Sequence, residues 1–465
     1  MAEPRNQPFL FEADVAIVGA GVAGLAAMRA LEDRGITTRV LEARDRIGGR
    51  ILTVRDQRLP HAVELGAEFI HGSAPEVVEI VREARLLADA IEGSRWRMRG
   101  GRLTHADDFW QRLDIVMRHL KSKGPDESFA EFLSRAPGGR AAAEARALAL
   151  QFVEGFHAAD ARLISARALA DGGSPGDDPD EQRTMRIANG YDGVPAWLAH
   201  GLDDRILTRT VVERIEWEKG SVAISGRDER GRVTTIRARA AIVTVPLGVL
   251  LAGGDGEGAI RFTPSPPIIE KIRQRLTMGS VARVVTLFRE RWWTKKPNAA
   301  ARNASMDATS FVYGDTEDFP VCWTLHPAHL PAIVSWVGGT KAARLDGLSY
   351  DERVDRAIAA LAKNFGVSKR RVESQLESAW THDWDTDPYS RGAYSYSLVG
   401  GSKAAADFAR PIETTLWFAG EAADAKGRNG TVHGAIGSGR AAARSAVRAL
   451  NLPAAISRQR SAGSR

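Results

Sequence analysis

An α/β fold built on a parallel sheet follows from three stretches of this 465-residue chain. Near the start, an apolar run, a glycine-spaced turn and an amphipathic segment succeed one another. A second apolar run closes on Leu41-Glu42. Far downstream, Leu416-Trp-Phe-Ala-Gly-Glu421 leads into a glycine-rich helix start. Unbroken apolar runs alternating with helical segments mark strands buried on both faces of a sheet.

The elements follow in order. Asp14 to Val18 reads as a buried strand. In Gly19-x-Gly21-x-x-Gly24, Gly19 allows the tight turn, Gly21 leaves room for a pyrophosphate, and Gly24 lets the next helix approach the sheet. That helix is expected from Val22 to Asp33, with Val22, Leu25, Met28 and Leu31 on one face. Its first amides and its dipole favour a phosphate, and Gly35 stops it. Thr38 to Leu41 forms the second strand. Glu42 stands at its end, about 18 residues after Gly24, where a carboxylate accepts hydrogen bonds from ribose hydroxyls and repels a 2′-phosphate. Together these features predict a Rossmann-type dinucleotide-binding unit. The turn alone admits NAD or FAD. Ala43-Arg-Asp-Arg-Ile-Gly-Gly-Arg50 adds three arginines and a glycine pair, which suits a pyrophosphate held permanently; standing alone, it would read equally as a solvated basic loop.

Pro75 to about Ala170 is expected to be helical, with Ser128-Phe-Ala-Glu131 as a capping box. Asp171 to Asp180 reads as a loop, and Asn189-Gly-Tyr-Asp-Gly193 leads into another helix. Strands are expected at Ile206-Leu-Thr, Val211 to Trp217, Ser221 to Ser225 and Ala240 to Val245. Met278 to Phe288 reads as one apolar strand and Ile333 to Val337 as another; Tyr350 to Phe365 is an amphipathic helix. The last helix begins in Gly430-Thr-Val-His-Gly-Ala-Ile-Gly-Ser-Gly-Arg440 and runs to about Leu450. Amides near Thr431 and Val432 would face a developing negative charge, such as that of a reduced flavin. Gly434, Gly437 and Gly439 cost helix stability; they read either as close approach of a ring or backbone, or as tight helix packing.

Composition sets outer limits. Hydrophobic residues at 44% and charged residues at 26% are ordinary for a globular chain. The length exceeds one ordinary domain. No signal peptide and no membrane-spanning run is read, so a cytoplasmic location is the expectation. The formal charge of +6 is spread along the chain, against a nucleic-acid partner. The basic segment 451–465 reads as a disordered tail. The single cysteine, Cys322, excludes an intramolecular disulfide and a cysteine-rich metal site; no metal is expected.

Taken together, the motifs resemble those of the FAD-dependent amine oxidases, a family that includes monoamine and polyamine oxidases, L-amino-acid oxidases and flavin histone-lysine demethylases. The resemblance rests on the glycine triplet with Leu41-Glu-Ala-Arg-Asp-Arg-Ile-Gly-Gly-Arg50 and on Glu64-Leu-Gly-Ala-Glu-Phe-Ile-His-Gly72. It continues in Val243-Thr-Val-Pro-Leu-Gly-Val-Leu250, Asp387-Pro-Tyr-Ser-Arg-Gly-Ala-Tyr-Ser-Tyr396, Phe418-Ala-Gly-Glu421 and Gly430-Thr-Val-His-Gly-Ala435. It implies a Rossmann-type FAD-binding domain of the glutathione-reductase-like class from 10–75, 200–268 and 388–450. An interleaved α+β substrate domain would come from 76–199 and 269–387. It places FAD contacts at Gly19, Gly21, Gly24, Glu42, Arg44, Gly49, Arg50, Gly66, Ala67, Val212, Glu421, Thr431 and Val432. Tyr394 matches an aromatic that flanks the amine, and Thr431 stands where monoamine oxidases carry a second tyrosine, which leaves the cage half open. Ala393 replaces a flavin-linking cysteine, so FAD should be non-covalent.

Glu68 and His71 fall in a segment that lines the amine channel in polyamine-oxidase-like members. A carboxylate there attracts a cationic amine and a histidine exchanges protons near neutral pH; either residue could instead make a structural hydrogen bond. One position departs from the family. Its usual lysine, tied to flavin N5 and oxygen reactivity, is here Arg283, bulkier and permanently charged. Arg283 could support charge on N5, anchor a substrate carboxylate, or pair with a neighbouring acid. The implied reaction is hydride transfer from the amine α-carbon to flavin N5, giving an imine that hydrolyses to aldehyde or ketone. The electrons pass to O2, yielding H2O2, or to another acceptor. The alternatives are a flavin dehydrogenase or desaturase with a non-oxygen acceptor, and a non-enzymatic FAD-stabilised interaction module. The particular amine and the oligomeric state are not specified by the motifs.

Overall fold

The computed structural model describes residues 9–135, 140–172, 183–253, 256–295 and 305–450. The expected tail at 451–465, and the expected loop from residue 173 onward, lie outside the described residues.

Among the described residues, eight strands form one sheet. Its centre is parallel: Phe9–Val18 lies between Thr38–Leu41 and Val233–Val243, and Leu416–Phe418 pairs with the far side of Val233–Val243. Val15 to Val18 are fully buried, as the apolar run requires. The helix Val22–Glu32 covers one face and packs against the last helix, Val432–Ala449. A Cβ on Gly439 would lie 2.1 Å from the Ala23 carbonyl oxygen, so the glycine sets this helix–helix distance. On the outer side, Ser221–Asp228 and Thr210–Glu218 continue the sheet antiparallel.

A second sheet of seven strands follows the order Leu376–Thr381, Val281–Phe288, Ala332–Gly338, Val321–Thr324, Thr309–Tyr313, Ser94–Arg99, Arg102–His105. The helix Tyr350–Phe365 packs beneath it and contributes Ala357, Ile358, Leu361 and Phe365 to the core. It begins with a capping box between Ser349 and Glu352 and ends on Gly366 in the left-handed conformation. The expected box at Ser128 and Glu131 is present as well.

Two expectations need correction. The region from Pro75 to Ala170 is not helical throughout. After the helix Pro75–Glu83 come strands Ala88–Ala90, Ser94–Arg99 and Arg102–His105. In Ser94–Arg99, buried Trp96 and Met98 alternate with arginines, a period of two hidden in an arginine-rich stretch. Met278 to Phe288 is not one strand either. Leu276–Gly279 pairs with Tyr394–Ser397, and Val281–Phe288 enters the seven-stranded sheet. The break falls after Gly279, where a Cβ would come within 2.3 Å of the Ala158 carbonyl oxygen.

Candidate active site

A cavity of about 810 Å³ runs between the two sheets. Every residue expected at the site lines it except Gly24, whose hydrogen replaces a Cβ that would lie 2.0 Å from the Gly19 carbonyl oxygen. Gly24 is a contact between turn and helix, not a wall of the cavity.

The glycine turn is shaped for a bound group. Gly19 has a φ of +99° and donates to the Leu41 carbonyl at 2.8 Å. A Cβ on Gly21 would meet nothing within 4 Å, so its bare backbone borders open space at the start of the helix. The Gly48-Gly49 pair lies alongside, with Gly48 bridged to Gly21. Gly66 is closed by the Arg50 carbonyl, 1.9 Å from where its Cβ would be; the same carbonyl accepts the Ala67 N–H. Bare backbone of this kind at a helix start could hold a phosphate.

Glu42 is buried and accepts from the amides of Ala20 at 2.7 Å and Arg44 at 2.9 Å. Burial raises its pKa, opposed by those two amides. Val212 lines the cavity just before a bulge in its strand. Arg44 binds Asp387 at 2.7 Å and Ser390 at 3.0 Å. Burial opposes the Asp387 charge, but His382 and Arg44 hold the carboxyl well below the usual range. Arg50 reaches the Ala393 carbonyl at 2.8 Å and Glu421 at 3.0 Å. Glu421 also accepts from the Ser395 hydroxyl at 2.7 Å and the Gly430 amide at 2.9 Å. Glu421 thus fastens three backbone segments together.

The Val432–Ala449 helix opens on the cavity. Its cap, Thr431, accepts from the Gly434 amide at 3.0 Å and donates to the Arg428 carbonyl at 2.7 Å, so its one O–H proton is committed to the chain. Opposite, the Tyr394 hydroxyl donates to the Phe156 carbonyl at 2.8 Å, which fixes the ring against Gly430. Burial pushes the Tyr394 phenol up.

Arg283 is buried in the wall. It donates to the Glu64 carbonyl at 2.7 Å and lies 3.3 Å from Glu68. The indoles of Trp323 and Trp336 stand 5.4 and 5.2 Å from its guanidinium carbon. The other side of Glu68 is held by Arg186 at 2.7 Å and by the Trp323 indole. Glu68 therefore faces two guanidinium groups, so its charge is matched before any amine arrives. His71 sits edge-on to Phe156 at 5.3 Å. Burial, aided by His433, lowers its pKa to about 4. At pH 7 its ring is therefore neutral, and any proton exchange would start from the neutral imidazole.

The sequence reading missed the outer wall of rings, including Phe156, Phe311, Tyr313 and Trp336, together with Arg95. For Arg95, Phe311, Tyr313 and Trp336 the signal is the alternation of strands such as Ser94–Arg99 and Thr309–Tyr313, whereas Phe156 ends the helix Arg140–Phe156.

The profile described as "Flavin containing amine oxidoreductase" matches residues 22–447. The chain belongs to the flavin-containing amine oxidoreductases. Polyamine oxidase 4 of Oryza sativa subsp. japonica is 28% identical over 92% of this chain and 87% of its own. Amine oxidase B of Homo sapiens is 24% identical over 94% and 86%. Lysine-specific histone demethylase 1 homolog 3 of Arabidopsis thaliana is 27% identical over 95% of this chain, which spans only 30% of that longer protein. Among solved structures, putrescine oxidase bound to putrescine superposes with a TM-score of 0.75 at 22% identity, covering 95% of this chain and 100% of that one. Cyclohexylamine oxidase from Brevibacterium oxydans IH-35A gives 0.76 at 21%, covering 94% and 99%. As a member of this family the protein is an FAD-dependent amine oxidoreductase. The FAD is non-covalent: Ala393 offers no thiolate, and the sole cysteine, Cys322, is buried away from the cavity. Among the described residues, no helix of this flavin amine oxidoreductase is long and apolar enough to cross a membrane.

Proposed function

We propose that this chain oxidises an amine placed between Tyr394 and the start of the Val432–Ala449 helix. The observation that carries the reading is one continuous cavity joining the glycine turn and Glu42 to Tyr394, Thr431 and the ring-lined wall. In this reading the eight-stranded sheet belongs to a Rossmann-type FAD-binding domain assembled from 10–75, 200–268 and 388–450. The seven-stranded sheet belongs to the substrate domain of 76–199 and 269–387. Gly19, Gly21, Gly49, Arg50, Gly66 and Ala67 hold the FAD phosphates and adjoining groups, Glu42 the ribose, and Val212 the adenine side.

When bound, the flavin supplies a two-electron acceptor for the hydride of the amine α-carbon. The chain's own contribution is position and dryness. Tyr394, fixed by Phe156, forms one flank. The surrounding rings desolvate the amine and favour its neutral form. Neutral His71 keeps one ring N–H and offers its other ring nitrogen as an acceptor. Amides of the helix start near Thr431 and Val432 stabilise negative charge. Water then hydrolyses the released imine to an aldehyde or ketone.

Anaerobic mixing with a panel of mono-, di- and polyamines and amino acids tests the reading: at least one class should bleach the flavin absorption. A flavin that no amine reduces would overturn it. A second reading, a dehydrogenase with a non-oxygen acceptor, is favoured by Arg283, whose terminal nitrogens are held by the Glu64 carbonyl and Glu68 and which keeps its proton. Rapid bleaching by an amine with negligible peroxide in air would support that version.

A further inference from the structure

The outer lobe of the cavity carries a charge pattern of its own. From His71 the wall continues to Phe69 at 5.7 Å and from Phe69 to Phe311 at 6.0 Å. The Arg95 guanidinium lies 6.0 Å from the Phe311 centroid, next to the Tyr313 hydroxyl. Arg95 therefore stands two rings beyond His71, on the same cavity.

Carboxylates able to meet a second ammonium are scarce along this path. Glu42 and Glu421 are bonded to amides and arginine, and Glu68 lies between two guanidinium groups. Asp171 also lines the cavity, but it is exposed. Arg95 presents the reverse situation. Among the described residues it has no carboxylate partner, although ion pairs are abundant elsewhere in this arginine-rich chain. An unmatched, half-buried guanidinium is a planar fork whose natural complement is a carboxylate.

We propose that this site selects amines whose apolar body ends in a carboxylate bound by Arg95, over diamines and polyamines. The inference rests on the amine-oxidising reading given above, which places the amine near Tyr394 and His71. Two intervening rings put the carboxylate several bonds from the amine, so an α-amino acid is too short to reach both ends.

The test is anaerobic flavin reduction of the holoenzyme by three amines of matched length: a neutral arylalkylamine, the same molecule with a para-carboxylate, and a diamine. At limiting substrate the carboxylate compound should react fastest and the diamine slowest. In Arg95→Gln the ratio of carboxylate to neutral rates should fall about tenfold or more, and Arg95→Lys should retain part of it. In the unaltered protein, the aryl carboxylate lacking the amine should compete with the carboxylate substrate, a measurement that stands even if a variant folds poorly. A preference for the diamine, or a ratio unchanged in Arg95→Gln, would overturn the proposal while leaving amine oxidation intact. Failure of all three amines to reduce a flavin that another amine of the wider panel reduces would overturn this proposal alone; failure of the whole panel would sink both.

Discussion

At the scale of single residues, the buried acids show how much of the site is support. Glu64 accepts from the Tyr191 amide and the Thr53 hydroxyl, yet burial still raises its pKa to about 7. Between its ordinary value and about 7, the folded chain keeps a proton that the unfolded chain has lost. Stability therefore falls as pH rises through that window, and the whole penalty applies above about 7. Glu64→Gln keeps an acceptor for Tyr191 and offers an N–H to Thr53. It should stabilise the protein at pH 8 by up to about 3 kcal/mol and flatten the pH dependence of the urea midpoint between pH 5 and 7. An unchanged midpoint at pH 8 would contradict the argument. His71 works in the opposite sense. Its lowered pKa means that the unfolded chain takes up the extra proton between about 4 and 6.5, so stability is lost as pH falls through that range.

At the scale of elements, the glycines of the first turn separate into two jobs that sequence spacing alone could not divide. Gly24→Ala drives a methyl into the Gly19 carbonyl. It should lower the melting temperature of flavin-free protein and abolish flavin retention. Gly21→Ala meets open space, so flavin-free protein should melt normally while flavin affinity falls. Thermal melts with and without added FAD check both; equal destabilisation of the two flavin-free variants would refute the division. Legibility followed the same line between local and distant causes. Thr38–Leu41 and Tyr350–Phe365 were readable to the residue, because apolar periodicity and local caps define them. The strands of 88–105 were not, because arginines on the open face of Ser94–Arg99 mask the alternation. Ion-pair partners were also illegible. That Glu68 would be taken by Arg186 and Arg283, or Arg50 by Glu421, depends on contacts more than a hundred residues apart.

At the scale of the whole molecule, the cavity proposed to hold the flavin is lined by segments from most of the chain, and among the described residues no cysteine lines it. Unfolding should therefore dissolve the site at once. Acid precipitation of the yellow holoprotein should leave the flavin in the supernatant, and flavin remaining in the washed pellet would contradict this. Added FAD should raise the melting temperature in proportion to the logarithm of its concentration above Kd, a dependence that differential scanning calorimetry would reveal.

The seat of Gly439 on Ala23 has a further consequence, for biosynthesis. The helix Val22–Glu32, with its glycine turn, packs against Val432–Ala449 only once that distant segment has been made. Arg50 likewise waits for Ala393 and Glu421. The nascent chain therefore carries an unfinished cavity and part of an apolar helix face uncovered until that segment is made. Such a chain is exposed to aggregation and is the kind of client that chaperones shelter. Loading of FAD belongs after these two distant segments have met.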